Sequence, residues 1–124
     1  DGEFARIGGD LTGSNRLGAA RAFGAAHGCV LVLKGHRTLT AAPAGNVLVN
    51  TTGNSGLAKG GSGDVLAGML GALLCQMPAR DAVQTAVWLH GRAGDLCAGR
   101  MGEYAMNPTD VIAALPEVTK PIIR

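Results

Sequence analysis

The sequence predicts an α/β fold that combines helices with short apolar strands. Apolar residues recur at helical spacing after Ser14, a good N-cap, up to about Ala26, and Gly28 is placed to end that helix. Cys29–Leu33 then forms a continuous apolar run, which is typical of a buried parallel strand. Hydrophobic residues make up 47% of the 124 residues and aromatic residues only 3%. The core is therefore expected to consist mainly of Ala, Val, Leu and Ile.

A hairpin and three further helices are expected along the rest of the chain. Thr38–Ala42 and Asn46–Val49 are β-prone runs on either side of Pro43-Ala-Gly45, and this arrangement predicts a hairpin. The expected helices run from about Gly63 to Cys75 or Gln76 with Pro78 as the stop, from Arg80 to about Cys97, and from Pro108 to Ala114.

The most informative stretch is Gly60-Gly-Ser-Gly-Asp64, which ends a glycine-rich loop and leads directly into an apolar helix. Glycines let the backbone approach an anion closely, and a helix start offers unpaired N–H groups and a positive dipole end. Asp64 would lie beside a bound phosphate, where its carboxylate can accept a proton from a hydroxyl that attacks phosphorus. The stretch predicts a phosphate site with its own base, although glycine-rich loops before helices are often plain connectors.

Two common nucleotide-binding signatures do not fit this loop. Lys59 precedes the double glycine, whereas the lysine of a P-loop follows the glycines. A Rossmann fingerprint would require glycine where Leu66 stands. Before the loop, the polar residues 50–52 are expected to bond the local backbone, and Asn54 is a further candidate to order a phosphate or a metal-bound water.

Three polar residues elsewhere give weaker signals. Lys34 follows the apolar run directly, at the carboxyl end of a strand where open α/β sheets bind ligands, but a solvated lysine that begins a turn is an equal alternative. His90 lies in the middle of a predicted helix, and a packed, hydrogen-bonded histidine is expected there rather than a catalytic one. Asp95 could cap the helix, pair with Arg92 or face solvent, so no role is assigned to it.

Composition argues against several kinds of partner. The net charge is +2, and the basic residues are scattered without aromatic neighbours, so neither nucleic acid nor base stacking is indicated. The longest apolar run, Val65–Cys75, is too short to span a bilayer. Three widely spaced cysteines form no C-x-x-C pair, which favours free, buried thiols, a cytoplasmic location and no structural zinc site: Cys29, Cys75 and Cys97.

The run Asn54-Ser-Gly-Leu-Ala-Lys-Gly-Gly-Ser-Gly-Asp-Val-Leu-Ala-Gly68 closely resembles the signature of the ADP/ATP-dependent NAD(P)H-hydrate dehydratases, which are repair enzymes of the ribokinase-like superfamily. Gly2–Arg6, Leu33–Thr38 and Leu89–Asp95 resemble further family motifs and occur in the family's order. The departures from the family pattern keep every glycine and the aspartate: Leu57 for methionine, Lys59 for a smaller residue and Ser62 for threonine.

The resemblance implies a partial ribokinase-like three-layer αβα fold, with residues 1–124 as the C-terminal part of a single domain whose N-terminal half lies outside the chain. It also implies ADP- or ATP-dependent dehydration of the (S)-hydrate of NADH or NADPH, with Mg²⁺ as cofactor and a homo-oligomeric protein. The chain by itself would then be inactive, because part of the substrate site would be absent.

The resemblance further assigns individual residues. Asp64 would be the catalytic and substrate-binding residue, and Glu3 would have a structural or metal-adjacent role. The nucleotide would be bound by ten residues: Lys34, Gly35, His36, Arg37, Thr38, Asn54, Gly60, Gly61, Ser62 and Gly63. Two other functions remain open, namely a small-molecule kinase of the same superfamily, such as one like hydroxyethylthiazole kinase, and a catalytically silent nucleotide-binding module.

Overall fold

The computed structural model describes residues 2–13 and 15–120, and the chain divides into two units, residues 1–50 and 51–124. The first unit has two helices and three strands: α1 (Gly2–Arg6), α2 (Arg16–His27), β1 (Leu31–Leu33), β2 (Leu39–Ala41) and β3 (Val47–Val49). The second unit has a 3₁₀ turn and three helices: Ser55–Leu57, α3 (Ser62–Leu74), α4 (Ala79–Met101) and α5 (Pro108–Thr119).

Helix α2 begins and ends where its local sequence provides caps. The side chain of Asn15 accepts a hydrogen bond from the Gly18 N–H at 2.7 Å and so satisfies a donor that the helix start leaves unpaired. Gly28 adopts φ 60° and its N–H bonds to the Gly24 carbonyl, which confirms the predicted glycine stop. The predicted N-cap, Ser14, lies outside the described residues, and Asn15 occupies the N-cap position.

The three strands form one antiparallel sheet in the order β1-β2-β3. Within the hairpin, Leu39 pairs with Val49 and Ala41 with Val47, so the predicted hairpin is confirmed. The expectation of a parallel, buried strand at Cys29–Leu33 is wrong, because β1 pairs antiparallel with β2 and is fully buried only at Leu33. A short turn can join only antiparallel neighbours, whereas an apolar run does not encode the direction of pairing.

The core of the first unit lies between α2 and the sheet. Small side chains on α2 let the helix come close to the strands. Phe4 belongs to this core, and its ring centroid lies 5.2 Å from that of Phe23. The buried members of this cluster are Phe4, Ala19, Ala20, Leu33, Leu39 and Ala41. As predicted, most of these buried residues are aliphatic.

Helix α4 is the centre of the second unit and packs against both α3 and α5. One face of it is made of small and aliphatic residues, which allows neighbouring elements to approach closely. The buried residues of that face are Ala82, Val83, Ala86, Val87, Leu89, His90, Gly91, Ala93, Gly94 and Cys97. This helix therefore provides the rigid surface on which the rest of the unit is assembled.

The predicted helix boundaries are correct at some ends and wrong at others. Helix α3 already ends at Leu74, and Pro78 is the N-cap of α4, where its missing N–H costs nothing. Helix α5 continues beyond Ala114 to Thr119 in spite of Pro116, because Leu115 and Val118 extend its contact with the core. Helix α1 and the 3₁₀ turn are additional to the predicted elements.

The three cysteines are free, as expected. Only Cys97 is fully buried, whereas Cys75 is exposed, because it caps the end of α3 instead of facing the core. Among the described residues, no helix combines the length and the apolar character that a membrane span requires.

The cap of α2 provides a test of this fold. We expect Asn15→Ala to lower the free energy of unfolding by about 1 kcal/mol, because the Gly18 N–H loses its acceptor. Asn15→Ser keeps an acceptor at the N-cap and should stay within a few tenths of a kcal/mol of the wild type. Urea denaturation measures both variants, and equal stabilities for Ala and Ser would contradict the capping role.

Candidate functional site

The glycine-rich loop, residues 53–61, runs into the first turn of α3. Gly61 is the N-cap with φ 93°, a left-handed conformation that glycine adopts without strain. Its conformation points the chain into the helix, where Ser62, Gly63 and Asp64 form the first turn. No side chain caps this helix start in the described part of the chain, so its positive end is available to an anion.

Asp64 is exposed in the first turn of α3. Its backbone N–H bonds to the Gly61 carbonyl at 3.1 Å, which fixes the residue next to the glycines. Gly60 and Gly63 are also exposed, so solvent reaches both the backbone and the carboxylate. The predicted combination of an accessible loop and an adjacent carboxylate is present on one short segment.

Two glycines of α4 allow the loop to lie directly on that helix. A Cβ added at Gly91 would come within 2.1 Å of the Thr52 Oγ1, and one added at Gly94 would come within 2.9 Å of the Leu57 side chain. Non-bonded contacts of a Cβ atom are essentially never this short. The absence of side chains at these two positions is therefore a condition for the position of the loop.

Asp95 anchors the start of the loop through both of its carboxylate oxygens. Oδ2 accepts from the Gly53 N–H at 3.0 Å and Oδ1 accepts from the Asn54 amide at 3.1 Å. The Asn54 Oδ1 in turn accepts from the Gly56 N–H at 3.0 Å. Sequence reasoning missed this residue, although its position one helical turn after Gly91 places it on the same face of α4.

His90 and Ser62 form a second anchor, where the loop enters α3. His90 is 8% exposed and Ser62 is 6% exposed, and the Ser62 Oγ lies 3.3 Å from the His90 Nε2. Burial lowers the pKa of His90, and the interaction with Ser62 partly opposes this effect. The expectation of a packed, hydrogen-bonded histidine is confirmed.

Segment 102–107 holds the opposite side of the loop. The Lys59 ammonium donates to the Tyr104 carbonyl at 2.7 Å and also to the Met106 carbonyl, and the Ser55 hydroxyl donates to Glu103. Lys59, one of the departures from the family pattern, therefore has a structural role. Its charge is directed at backbone carbonyls.

The other predicted nucleotide-binding residues lie on the β1–β2 turn of the first unit. The Thr38 hydroxyl closes this turn by donating to the Gly35 carbonyl at 3.2 Å, and Arg37 adopts a left-handed φ of 55°. Lys34 is exposed and its Nζ lies 3.4 Å from the Glu3 carboxylate, while His36 is exposed. The five residues 34–38 thus form one turn, in the unit that does not contain Asp64.

Comparison with known proteins now adds to this geometry. A family model described as NAD(P)H-hydrate dehydratase matches residues 1–117. The chain belongs to the NAD(P)H-hydrate dehydratase family.

Individual relatives give the extent of this similarity. The bifunctional NAD(P)H-hydrate repair enzyme Nnr of Gloeobacter violaceus is 50% identical over 80% of this chain and 20% of its own length. The ADP-dependent (S)-NAD(P)H-hydrate dehydratase of Neisseria meningitidis is 49% identical over 67% of this chain and 28% of its own length. The chain therefore spans roughly a fifth to a third of these curated relatives.

A solved structure confirms the fold. The ADP/ATP-dependent NAD(P)H-hydrate dehydratase of Bacillus subtilis, co-crystallized with ATP and Mg²⁺ and soaked with CoA, matches with a TM-score of 0.83 and 37% identity. The match covers 86% of this chain and 40% of that protein. The mixed fold with its small antiparallel sheet is thus ribokinase-like, as predicted.

The structure is compatible with Mg²⁺ held through a nucleotide. The described residues contain no group of three or more His, Cys, Asp or Glu side chains that could enclose a metal ion. Mg²⁺ usually binds through one or two carboxylates, water and substrate phosphates, so such a group is not required.

The contact between loop and helix can be tested at Gly91. We expect Gly91→Ala to lower the free energy of unfolding by about 1–3 kcal/mol, because the new methyl group would overlap Thr52. Gly99→Ala on the same helix is the matched control, since a Cβ there meets nothing within 4 Å, and alanine should stabilise the helix by about 0.5–1 kcal/mol. Effects of the same sign in chemical denaturation would contradict the packing.

The lowered pKa of His90 predicts how the free energy of unfolding depends on pH. Its pKa is lower in the folded chain than the reference value of 6.5, so unfolding takes up a proton between those two values. The free energy of unfolding should therefore fall as pH decreases below about 6.5, by at most about 1.4 kcal/mol per pH unit. Denaturation of His90→Gln should show a shallower slope over this range, and an unchanged slope would refute the assignment.

Proposed function

We propose that the complete protein carrying this chain converts the (S)-hydrate of NADH or NADPH back to the reduced nicotinamide at the expense of ADP or ATP. One observation carries this proposal: Asp64 is exposed in the first helical turn that follows an exposed glycine loop. An anion at the helix start and a base within the same turn meet the needs of phosphoryl transfer to a hydroxyl. Membership of the family supports this substrate class.

The proposed reaction uses Asp64 as general base. Its carboxylate takes the proton of the hydrate's hydroxyl while the oxygen attacks the terminal phosphorus of the nucleotide. The bond from that phosphorus to the bridging oxygen breaks, and the shortened nucleotide leaves. The phosphate ester then loses inorganic phosphate and a neighbouring ring proton, which restores the dihydronicotinamide. Nucleotide is needed because phosphate is a far better leaving group than hydroxide.

Backbone groups at the start of α3 are proposed to bind the terminal phosphates. The start of α3, which no side chain among the described residues caps, and the left-handed Gly61 support this assignment. Bound Mg²⁺ would neutralise charge that develops on the phosphates. Residues 34–38 are proposed to bind the nucleotide, on the basis of the resemblance of Leu33–Thr38 to a family motif.

The predicted nucleotide-binding residues of the loop could either contact the nucleotide or hold the loop in shape. The side chains of Asn54 and Ser62 already have partners inside the protein, which favours a role for both in shaping the loop. Their direct contact with nucleotide stays a prediction, as do the contacts of Gly60, Gly61 and Gly63. The substrate-side role of Glu3 also stays a prediction.

The organisation of the complete protein is part of the proposal. The chain covers 20% and 28% of two curated relatives and 40% of a solved relative, which supports a longer complete protein. The place of residues 1–124 as the C-terminal part of a single domain stays a prediction. A homo-oligomeric state and a cytoplasmic location stay predictions of the sequence.

An absorbance assay tests the reaction. The complete protein is given the (S)-hydrate of NADPH with Mg²⁺ and either ADP or ATP, and the absorption band of reduced nicotinamide is followed. Recovery of the band that requires nucleotide, with release of inorganic phosphate, is the expected result. Accumulation of a stable phosphate ester without recovery of the band would instead identify a kinase of the same superfamily.

Asp64→Asn tests the base. We expect turnover to fall by roughly 10²–10⁴-fold, because the amide cannot accept the hydroxyl proton, while the dissociation constant for nucleotide stays within about threefold. Asp81→Asn is the matched control, since Asp81 is also an exposed carboxylate in the first turn of a helix, and its turnover should be unchanged. Near-wild-type turnover of Asp64→Asn would remove Asp64 from the mechanism.

A further inference from the structure

The contacts of Asp95 link α4 directly to the glycine-rich loop. Both carboxylate oxygens are engaged, one with the Gly53 N–H at 3.0 Å and the other with the Asn54 amide at 3.1 Å. Asp95 is partly buried, where a charge-assisted hydrogen bond is stronger than in water. Asp95 thus contacts loop residues that lie 41 and 42 positions earlier in the sequence.

Asn54 passes this restraint along the chain. Its side-chain oxygen accepts from the Gly56 N–H at 3.0 Å, and its carbonyl accepts from the Leu57 N–H at 3.2 Å. Ala58 then donates to Ser55 at 3.0 Å, and Ser62 donates to Lys59 at 3.2 Å. Hydrogen bonds between residues close in sequence therefore follow one another from the Asp95 contact to Ser62, the first residue of α3.

Contacts of Thr52 with α4 restrict the position of the chain at the start of the loop. The Thr52 hydroxyl donates to the Trp88 carbonyl at 2.9 Å, and the Thr52 backbone carbon lies within 2.7 Å of where a Gly91 Cβ would be. Thr52 therefore packs against α4 immediately before Gly53, the first residue that Asp95 contacts. A change at Asp95 would therefore act on a segment that is also packed against α4.

We propose that Asp95 is a positioning residue for nucleotide binding: through Gly53 and Asn54 it sets the path of the loop that presents the first turn of α3 to phosphate. The residue does not need to touch the nucleotide, because both of its oxygens already accept hydrogen bonds within the loop. This inference rests on the proposed function, since it concerns the nucleotide site of that reaction.

A reciprocal exchange tests the proposal in the complete protein. Asp95→Asn removes one of the two acceptors, and Asn54→Asp sets two carboxylates against each other. The double variant, which combines both substitutions, again has one carboxylate and one amide facing each other. The amide now on α4 can accept from the Gly53 N–H and donate to the carboxylate now on the loop, which still accepts from the Gly56 N–H. Calorimetry with Mg²⁺-ADP and Mg²⁺-ATP is run at a temperature where every variant is fully folded, with Asp81→Asn as control.

We expect each single variant to weaken nucleotide binding by roughly tenfold, in line with the loss of one charge-assisted hydrogen bond. The double variant should recover to within about threefold of the wild type, and Asp81→Asn should bind normally. In steady-state turnover, the KM for nucleotide should rise in the single variants while the KM for the hydrate stays constant. A purely structural role would not separate the two KM values.

The outcomes separate this inference from the function on which it rests. If the wild-type protein binds neither nucleotide, the proposed function fails. If the wild type binds nucleotide but the folded single variants bind equally well, the positioning role of Asp95 fails while the function stands. Failure of the double variant to recover binding, although it is folded, would also overturn the positioning role.

Discussion

The candidate site depends on close packing of the glycine-rich loop against α4. The loop contains few side chains that could hold it in a hydrophobic core, so its conformation has to be imposed by its surroundings. Helix α4 does this with bare backbone at Gly91 and Gly94 and with polar groups at His90 and Asp95. A flexible loop would have to become ordered when a nucleotide binds, and the loss of conformational entropy would weaken the binding.

This arrangement explains why polar residues occur in the buried face of α4. A buried polar group is costly unless it is hydrogen-bonded, and no buried side-chain N or O atom in the described part of the chain lacks a partner. His90 contacts the Ser62 hydroxyl, and Asp95 accepts from the Gly53 N–H and the Asn54 amide. The same helix thus serves the core through Ala93 and Cys97 and the site through their polar neighbours.

Local signals in the sequence predicted several elements correctly. Gly28 ends α2, Pro43-Ala-Gly45 connects a hairpin, and the glycine loop leads into α3, because each is determined by residues that are adjacent in the chain. The direction of β1 was missed because an apolar run does not encode it: the direction follows from the neighbouring strand and from the short turn to β2, which allows only antiparallel pairing. Asp95 was missed for a related reason: its partners are 41 and 42 residues away, and only the packing of α4 brings them together.

The electrostatics of the loop differ from those of a P-loop, in which a lysine binds the phosphates. Here the nearest lysine in the chain, Lys59, donates to the carbonyls of Tyr104 and Met106, so its charge stabilises the loop. A helix start contributes the equivalent of only about half a positive charge, which is much less than the negative charge of a nucleotide. Under the proposed function, the remaining counter-charge would have to come with the ligand or from other residues, and this imbalance is the physical reason for proposing Mg²⁺ with the nucleotide. In such a site the backbone sets the geometry of the phosphates, and the cation supplies most of the charge.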